Sequence, residues 1–264
     1  MLEAAIKYKT IVDEFDDAIK AGEFKMYLQP QISAKTRRLT GAEALVRRIK
    51  PDGTIISPID FIPVYEKSGL ISRLDRYIWE QAAAKLGEWK KAGINMSISV
   101  NISPKDFYYI DIFNTFAGLI KKYDIEPSNL KIEITETTIM SDVPNLMGEL
   151  EELRKAGFTL EMDDFGSGYS SLNTLKDINV DVLKVDMGFI KETKNVKKSR
   201  IILASVIKMA KELNLLIITE GVETEEQVDN LTKLGCDVFQ GYYFSKAIDV
   251  NEFEKRYLYR KKAG

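Results

Sequence analysis

Asp163 and Asp164 stand side by side in the stretch LEMDDFGSGYSSL, residues 160–172. Adjacent carboxylates repel, so a positive species close by is needed to make the arrangement tolerable. The chain has no histidine and a single cysteine, Cys236. That excludes imidazole catalysis, imidazole metal ligands, an internal disulfide and a thiolate metal cluster. Any reaction must run on carboxylates, amides, lysine or a metal held by oxygen. Glu43, Asn101, Glu133 and Asp163 together would supply three anionic oxygens and one neutral carbonyl, a set suited to a hard divalent cation such as Mg2+ or Mn2+. Asp164 would serve a second ion. Two metals about 3.5–4 Å apart suit phosphoryl chemistry, because they activate a water and stabilise the developing charge. Lys184 would hold that water or a phosphate oxygen, and Glu220 would accept the proton. Gly166 and Gly168 give a hinge beside the acid pair.

These residues lie far apart in the chain, so only a closed fold brings them together. Eight segments read as strands: 24–32, 39–49, 96–103, 130–137, 158–164, 180–186, 215–221 and 238–244. Helical segments, among them 73–93 and 197–214, separate most of them. Ser57-Pro58-Ile59-Asp60, Ser103-Pro104-Lys105-Asp106 and Thr224-Glu225-Glu226-Gln227 fit the capping box that starts a helix. Eight strands alternating with helices predict an α/β fold of the TIM (β/α)8 barrel type. Only SAKTRRLTG separates the first two strands. A parallel crossover needs a dozen or more residues, so the first pair is predicted to be antiparallel, which makes the barrel a modified one.

Side chains alternate across a strand. Ile98, Val100 and Ile102 share one face, and Ser99 and Asn101 the other. Leu130, Ile132 and Ile134 oppose Lys131, Glu133 and Thr135; Leu160 and Met162 oppose Glu161 and Asp163. With the apolar faces against the helices, Glu43, Asn101, Glu133, Asp163, Lys184, Glu220 and Gln240 fall near one mouth of the barrel, where barrel enzymes build their sites. Singly, each has an ordinary structural explanation. Seven polar residues closing seven strands at one rim do not, because burying them unpaired is costly.

Composition sets the outer limits. Hydrophobic residues at 45%, charged residues at 30% and a net charge of −2 describe a globular chain without the basic excess of a binder of polymeric nucleic acid. No uninterrupted apolar run reaches the roughly 18 residues of a membrane span. The acidic, amphipathic N-terminus is unlike a secretory signal, which makes the cytoplasm the expected location. Without repeats or linkers, residues 1–264 are expected to form a single domain, with residues 1–20 as an N-terminal helix packed on it.

Nine stretches, in order, carry a resemblance over nearly the whole chain: YLQPQI, GAEALVR, SPIDFIPVYEKSGLI, SVNISP, IEITET, DDFGSGYSSL, DVLKVDMGFI, TEGVET and QGYYFSK. They resemble the EAL-domain cyclic di-GMP phosphodiesterase family. The resemblance implies a modified barrel with an antiparallel first pair, and Mg2+- or Mn2+-dependent hydrolysis of cyclic di-GMP to linear pGpG, with two ions. It implies Glu43, Asn101, Glu133 and Asp163 as metal ligands, Asp164 at the second metal, and Lys184 and Glu220 as the residues that orient and deprotonate the water. Gln29, Arg47, Gln240 and Asp186 match substrate-pocket positions. Glu136 matches the residue that steadies the DDFGSG loop, which couples metals to dimerisation in the family, and Glu223 is a further loop position. A homodimer and sensory or GGDEF partner domains outside the chain fit the same resemblance.

The chain departs from the pattern at three places. Ala247 stands where proline is usual, with an expected effect on loop stiffness. Arg48 stands where an aromatic often follows EALVR and reads as an exposed charge or an extra phosphate contact. Glu161 occupies a position usually small or apolar. Alternation puts it inside the barrel near Lys131, which predicts a buried ion pair. Two rival functions remain, a catalytically silent cyclic di-GMP receptor and a protein-interaction module. Degenerate receptors typically lose a motif acid, and none is missing here. Ile201, Ile202, Ala204, Ser205, Ile207 and Met209 recur at roughly helical spacing and are expected to pack on the barrel, with a share in a dimer interface as the other reading.

Overall fold

The computed structural model describes residues 2–141, 143–166, 175–176, 178–187 and 196–259. Eight strands close on themselves: β1 Phe24–Ser33, β2 Leu39–Ile49, β4 Ile98–Ile102, β5 Leu130–Thr135, β6 Leu160–Asp163, β7 Val182–Asp186, β8 Leu216–Glu220 and β9 Val238–Phe239. Two short strands, β3 Ile55–Ile56 and β10 Ile248–Asp249, extend β2 and β1 outside the ring. β2 and β4 through β9 run parallel around the barrel. β1 is antiparallel to both neighbours, with Gln29 opposite Glu43 of β2 and Ile32 opposite Phe239 of β9. The predicted modified barrel is therefore found, and the short β1–β2 connection accounts for its one reversed strand.

The outward faces are apolar, as alternation requires. Ile98, Val100, Ile102, Leu130, Ile132, Ile134, Leu160 and Met162 are all buried under the helices. The helix Ile71–Lys91 contributes Leu74, Ile78, Trp79, Ala82 and Leu86 to this layer. Trp79 meets Phe116 of the helix Ile112–Tyr123 at a ring separation of 4.9 Å. The helix Val196–Glu212 buries Leu203, Ile207 and Ala210. Ile201 and Ile202, expected on that face, point outward instead, because the buried stripe at spacings of four and three residues runs through Leu203.

Of the three capping boxes, only Thr224–Gln227 is complete. Ser57 occupies the N-cap position with Pro58 behind it, but its side chain caps nothing, and Asp60 accepts from Lys7 Nζ at 2.8 Å. Ser103 and Asp106 form half a box, Ser103 N donating to Asp106 Oδ2 at 2.8 Å. The segment 130–137 leaves the sheet at Thr135, whose Oγ1 accepts from Thr138 N and starts a short helix at Glu136. The segment 238–244 holds only two strand residues. At Gly241 a Cβ would lie 2.2 Å from the carbonyl oxygen of Val222, so the chain turns there against the β8 loop and no side chain fits.

Arg48 corrects the sequence reading. It is only 3% exposed, on the outer face of β2. Its guanidinium donates to Glu23 at 2.9 Å and to Glu14 at 2.7 Å, and lies 5.7 Å from the Phe24 ring centroid. Glu14 joins the helices Leu2–Asp13 and Phe15–Lys20, so Arg48 pins the N-terminal segment to the barrel wall. Phe15 adds an edge contact of 4.9 Å to Tyr65. Arg48→Met is expected to cost roughly 1–3 kcal/mol, less than a fully buried pair because Glu14 keeps contact with water. Urea unfolding measures this, and an unchanged midpoint would show the bridge to be idle.

Candidate functional site

β7 projects Lys184 into the barrel axis, where it is fully buried. Its Nζ lies 2.9 Å from Glu133 Oε2, 3.0 Å from Glu220 Oε1, 3.3 Å from Asp163 Oδ1 and 3.5 Å from Glu43 Oε2. Four strands thus aim a carboxylate at one ammonium. Burial pulls the Lys184 proton affinity down, but the field of Glu133, Glu220, Glu43 and Asp163 outweighs it and holds the ammonium well above its ordinary range. Burial, helped by Glu43 and opposed by Lys184, pushes the Glu133 carboxyl well up. The same balance of burial, Lys184 and the acids Asp163 and Glu43 brings Glu220 up to about 8.

Amides complete the ring. Asn101 Nδ2 donates to Glu43 Oε1 at 3.4 Å, and Gln240 Nε2 donates to Glu43 Oε2. Gln240 Nε2 also reaches Gln29 Oε1 at 3.3 Å, and Gln240 Oε1 accepts from Gln31 Nε2 at 3.2 Å. Gln31 is buried and was not singled out in the sequence, although it shares the inward face of β1 with Gln29. Trp79 was missed as well. Its Nε1 donates to the Asn101 carbonyl oxygen at 2.9 Å and fixes the end of β4 from the surrounding helix layer.

The donor set fits a hard divalent cation in kind. Every donor is oxygen, and four carboxylates outnumber the single ammonium they surround. Glu133 Oε1 is buried and accepts no hydrogen bond, which leaves it available to a cation, while Oε2 faces Lys184 Nζ at 2.9 Å. Among the described residues, however, no three acidic side chains are already arranged as a metal cage. Asp164 follows at a left-handed φ of 56°, a strained conformation for any residue but glycine, and its N–H donates to Asp163 Oδ1 at 2.9 Å. Burial and Asp163 raise the Asp164 carboxyl, with Lys184 opposing. Glu136 is buried at the start of its short helix. Residues 167–174 of the loop it is expected to steady, including Gly168, lie outside the described residues.

One inward layer below, the predicted ion pair forms. Lys131 Nζ meets Glu161 Oε1 at 3.0 Å, and Ser99 Oγ donates to Glu161 Oε2 at 2.9 Å.

Two cavities open at the mouth and share Leu45 of β2. One, of about 370 Å3, is lined by Gln29, Glu43, Asp186, Glu220, Glu223 and Tyr242 among others. The other, of about 380 Å3, is lined by Arg47, Pro58, Ile62, Asp75, Asn101 and Thr138 among others. Arg47 Nη1 donates to Val46 O at 2.7 Å, and the guanidinium lies 5.9 Å from the Tyr27 ring centroid. All thirteen site residues expected from the sequence are therefore described, and the mouth gathers twelve of them: Gln29, Glu43, Arg47, Asn101, Glu133, Asp163, Asp164, Lys184, Asp186, Glu220, Glu223 and Gln240.

The second cavity has an acid wall that the sequence did not reveal. Burial, with Asp106 and Glu66 adding to it, raises the Asp75 carboxyl well above its ordinary value. Burial raises Asp106 to about 6, against the pull of Ser72, the Ser103 N–H and Asp75. A raised acid pKa stabilises the fold at low pH. The contribution is complete below about pH 4 and is lost as pH rises through the Asp106 value of about 6. In Asp75→Asn the loss of stability between pH 5 and pH 7, read by urea unfolding, is expected to shrink relative to the unaltered chain; an equal loss in both would place the carboxyls in water.

No helix of the described residues is long and apolar enough to cross a membrane. The family model for the EAL domain matches residues 12–247. Signaling protein YkoW of Bacillus subtilis (strain 168) is 36% identical over 239 residues, covering 90% of this chain and 30% of YkoW. Probable cyclic di-GMP phosphodiesterase PdeG of Escherichia coli (strain K12) is 36% identical over 252 residues, covering 93% of this chain and 48% of PdeG. The chain thus spans less than half the length of either relative. The solved PaMucR phosphodiesterase, in its c-di-GMP complex, superposes with a TM-score of 0.86 at 32% identity, covering 92% of this chain and 99% of that one.

Proposed function

Because the chain belongs to the EAL domain family, we propose that it is a divalent-metal-dependent phosphodiesterase that opens cyclic di-GMP to linear pGpG. The observation that carries this reading is the convergence of Glu43, Glu133, Asp163 and Glu220 on Lys184 at one mouth, with no motif acid lost. The two cavities meeting at Leu45 support a ligand with two bases joined through phosphates.

In this reading Glu43, Asn101, Glu133 and Asp163 hold a Mg2+ or Mn2+ ion, with Asp164 at a second. When bound, such ions polarise the scissile phosphodiester and lower the pKa of a water. Glu220 would take one proton as the water oxygen bonds to phosphorus; the P–O ester bond would break, and the leaving sugar oxygen would take up a proton from solvent, giving a terminal phosphate and a free hydroxyl. A proton acceptor with affinity near neutrality suits this role. Lys184 holds the acid ring together and faces the developing charge. Gln29, Arg47, Asp186 and Gln240 orient the nucleotide, while Glu136 and Glu223 steady the loops around it. Further domains beyond this chain, and pairing of two copies, belong to the same proposal. Incubation with cyclic di-GMP and Mg2+ or Mn2+, followed by chromatography, tests it. Appearance of pGpG is expected; binding without product would favour a receptor.

A further inference from the structure

Lys131 faces inward two residues below Glu133 on β5, and its side chain is 19% exposed. It is a cation on a long stem directly beneath a carboxylate that is paired with Lys184 through Oε2 and whose other oxygen, Oε1, accepts no hydrogen bond. Nothing in the strand itself keeps the ammonium from reaching up to that carboxylate. What holds it is Glu161, fully buried on β6 and paired in register with Glu133. Glu161 does not turn toward the acid ring. Its carboxylate passes under Glu133, takes Lys131 Nζ on one oxygen at 3.0 Å and Ser99 Oγ on the other at 2.9 Å, two strands away on β4. Ser99 and Lys131 each lie two residues before a ring member, Asn101 and Glu133, so these contacts form a separate layer.

We propose that Glu161 is a positioning residue that anchors the Lys131 ammonium in this lower layer and so keeps it from competing with a divalent cation for Glu133. The inference rests on the metal-dependent reading above and extends it to a residue outside the ring. Charge balance supports it. The Glu161–Lys131 pair is neutral as a unit and leaves the excess negative charge of the ring for a metal, whereas a freed Lys131 would cancel part of it.

The test uses Glu161→Gln, which keeps shape and can still accept from Ser99 but cannot hold an ammonium by charge. Lys131 retains its path to water and stays charged. Calorimetric titration with Mg2+ is expected to show binding weakened by roughly threefold or more. Adding Lys131→Gln removes the competing cation, and the double variant is expected to regain the unaltered affinity. Lys131→Gln alone leaves Glu161 buried without its partner, so the single variant should melt lowest of the three while not losing Mg2+ affinity. A merely structural ion pair predicts the melting order but no change of Mg2+ affinity in Glu161→Gln, and that result overturns the inference. If the unaltered chain itself gives no heat with Mg2+, the metal-dependent function falls, and this inference with it.

Discussion

Glu220→Gln is expected to lower the rate of cyclic di-GMP opening by roughly 10²–10⁴-fold, the usual worth of a positioned acid–base group, while the nucleotide still binds. Glu220 ends β8 at the mouth, 3.0 Å from Lys184 Nζ and on the wall of one cavity. Its proton affinity is raised by burial, with Asp163 and Glu43 adding to it and Lys184 opposing, which suits a group that must take up a proton. The amide keeps the shape and loses that affinity. Quenched-flow assays measure the rate, and equilibrium dialysis the binding. A variant that hydrolyses at the normal rate would assign the base elsewhere; one that no longer binds would make Glu220 a substrate anchor.

Lys184→Met is expected to lose both activity and stability. The ammonium is the shared partner of four carboxylates, and Glu133 among them is fully buried. Removing one partner of a buried charge network typically costs about 3–5 kcal/mol, because the charges left behind have no solvent to screen them. The four acids would then need protons or metal, so the melting temperature of the variant should respond to added Mg2+ more steeply than that of the unaltered chain. Thermal unfolding with and without Mg2+ reads both effects. Equal stability of variant and parent would show that the acids do not depend on the lysine.

Strict alternation is why the ring was legible in the sequence. Glu133, Asp163, Lys184 and Glu161 each sit where a period of two puts an inward side chain, and β-strands permit no other phase once the outer face is apolar. The reversed β1 followed from the length of one connection. Other features depend on contacts that no local pattern encodes. Arg48 faces outward from β2, but its burial is decided by Glu14 and Glu23, and no periodicity reports that. Trp79 reaches Asn101 from a helix of the outer layer, so its role is visible only in three dimensions. The aromatic run at 238–244 has high strand propensity, and the close approach of Gly241 to Val222 overrides it. Asp75 and Asp106 meet between two helices, and although Asp106 closes a capping-box spacing, nothing in the sequence pairs it with Asp75. On the helix Val196–Glu212 the apolar residues are abundant enough to support two phases, and burial chose the one through Leu203, Ile207 and Ala210.

A complex with Mn2+ and the uncleaved nucleotide, held by Glu220→Gln and studied by anomalous scattering at the manganese edge, bears most directly on the oxygen-only cation site. Anomalous peaks are expected within coordination range of Glu43, Asn101, Glu133 and Asp163, with a second beside Asp164. A mouth free of manganese at saturating concentration, with Glu43, Glu133 and Asp163 still gathered on Lys184, would contradict it.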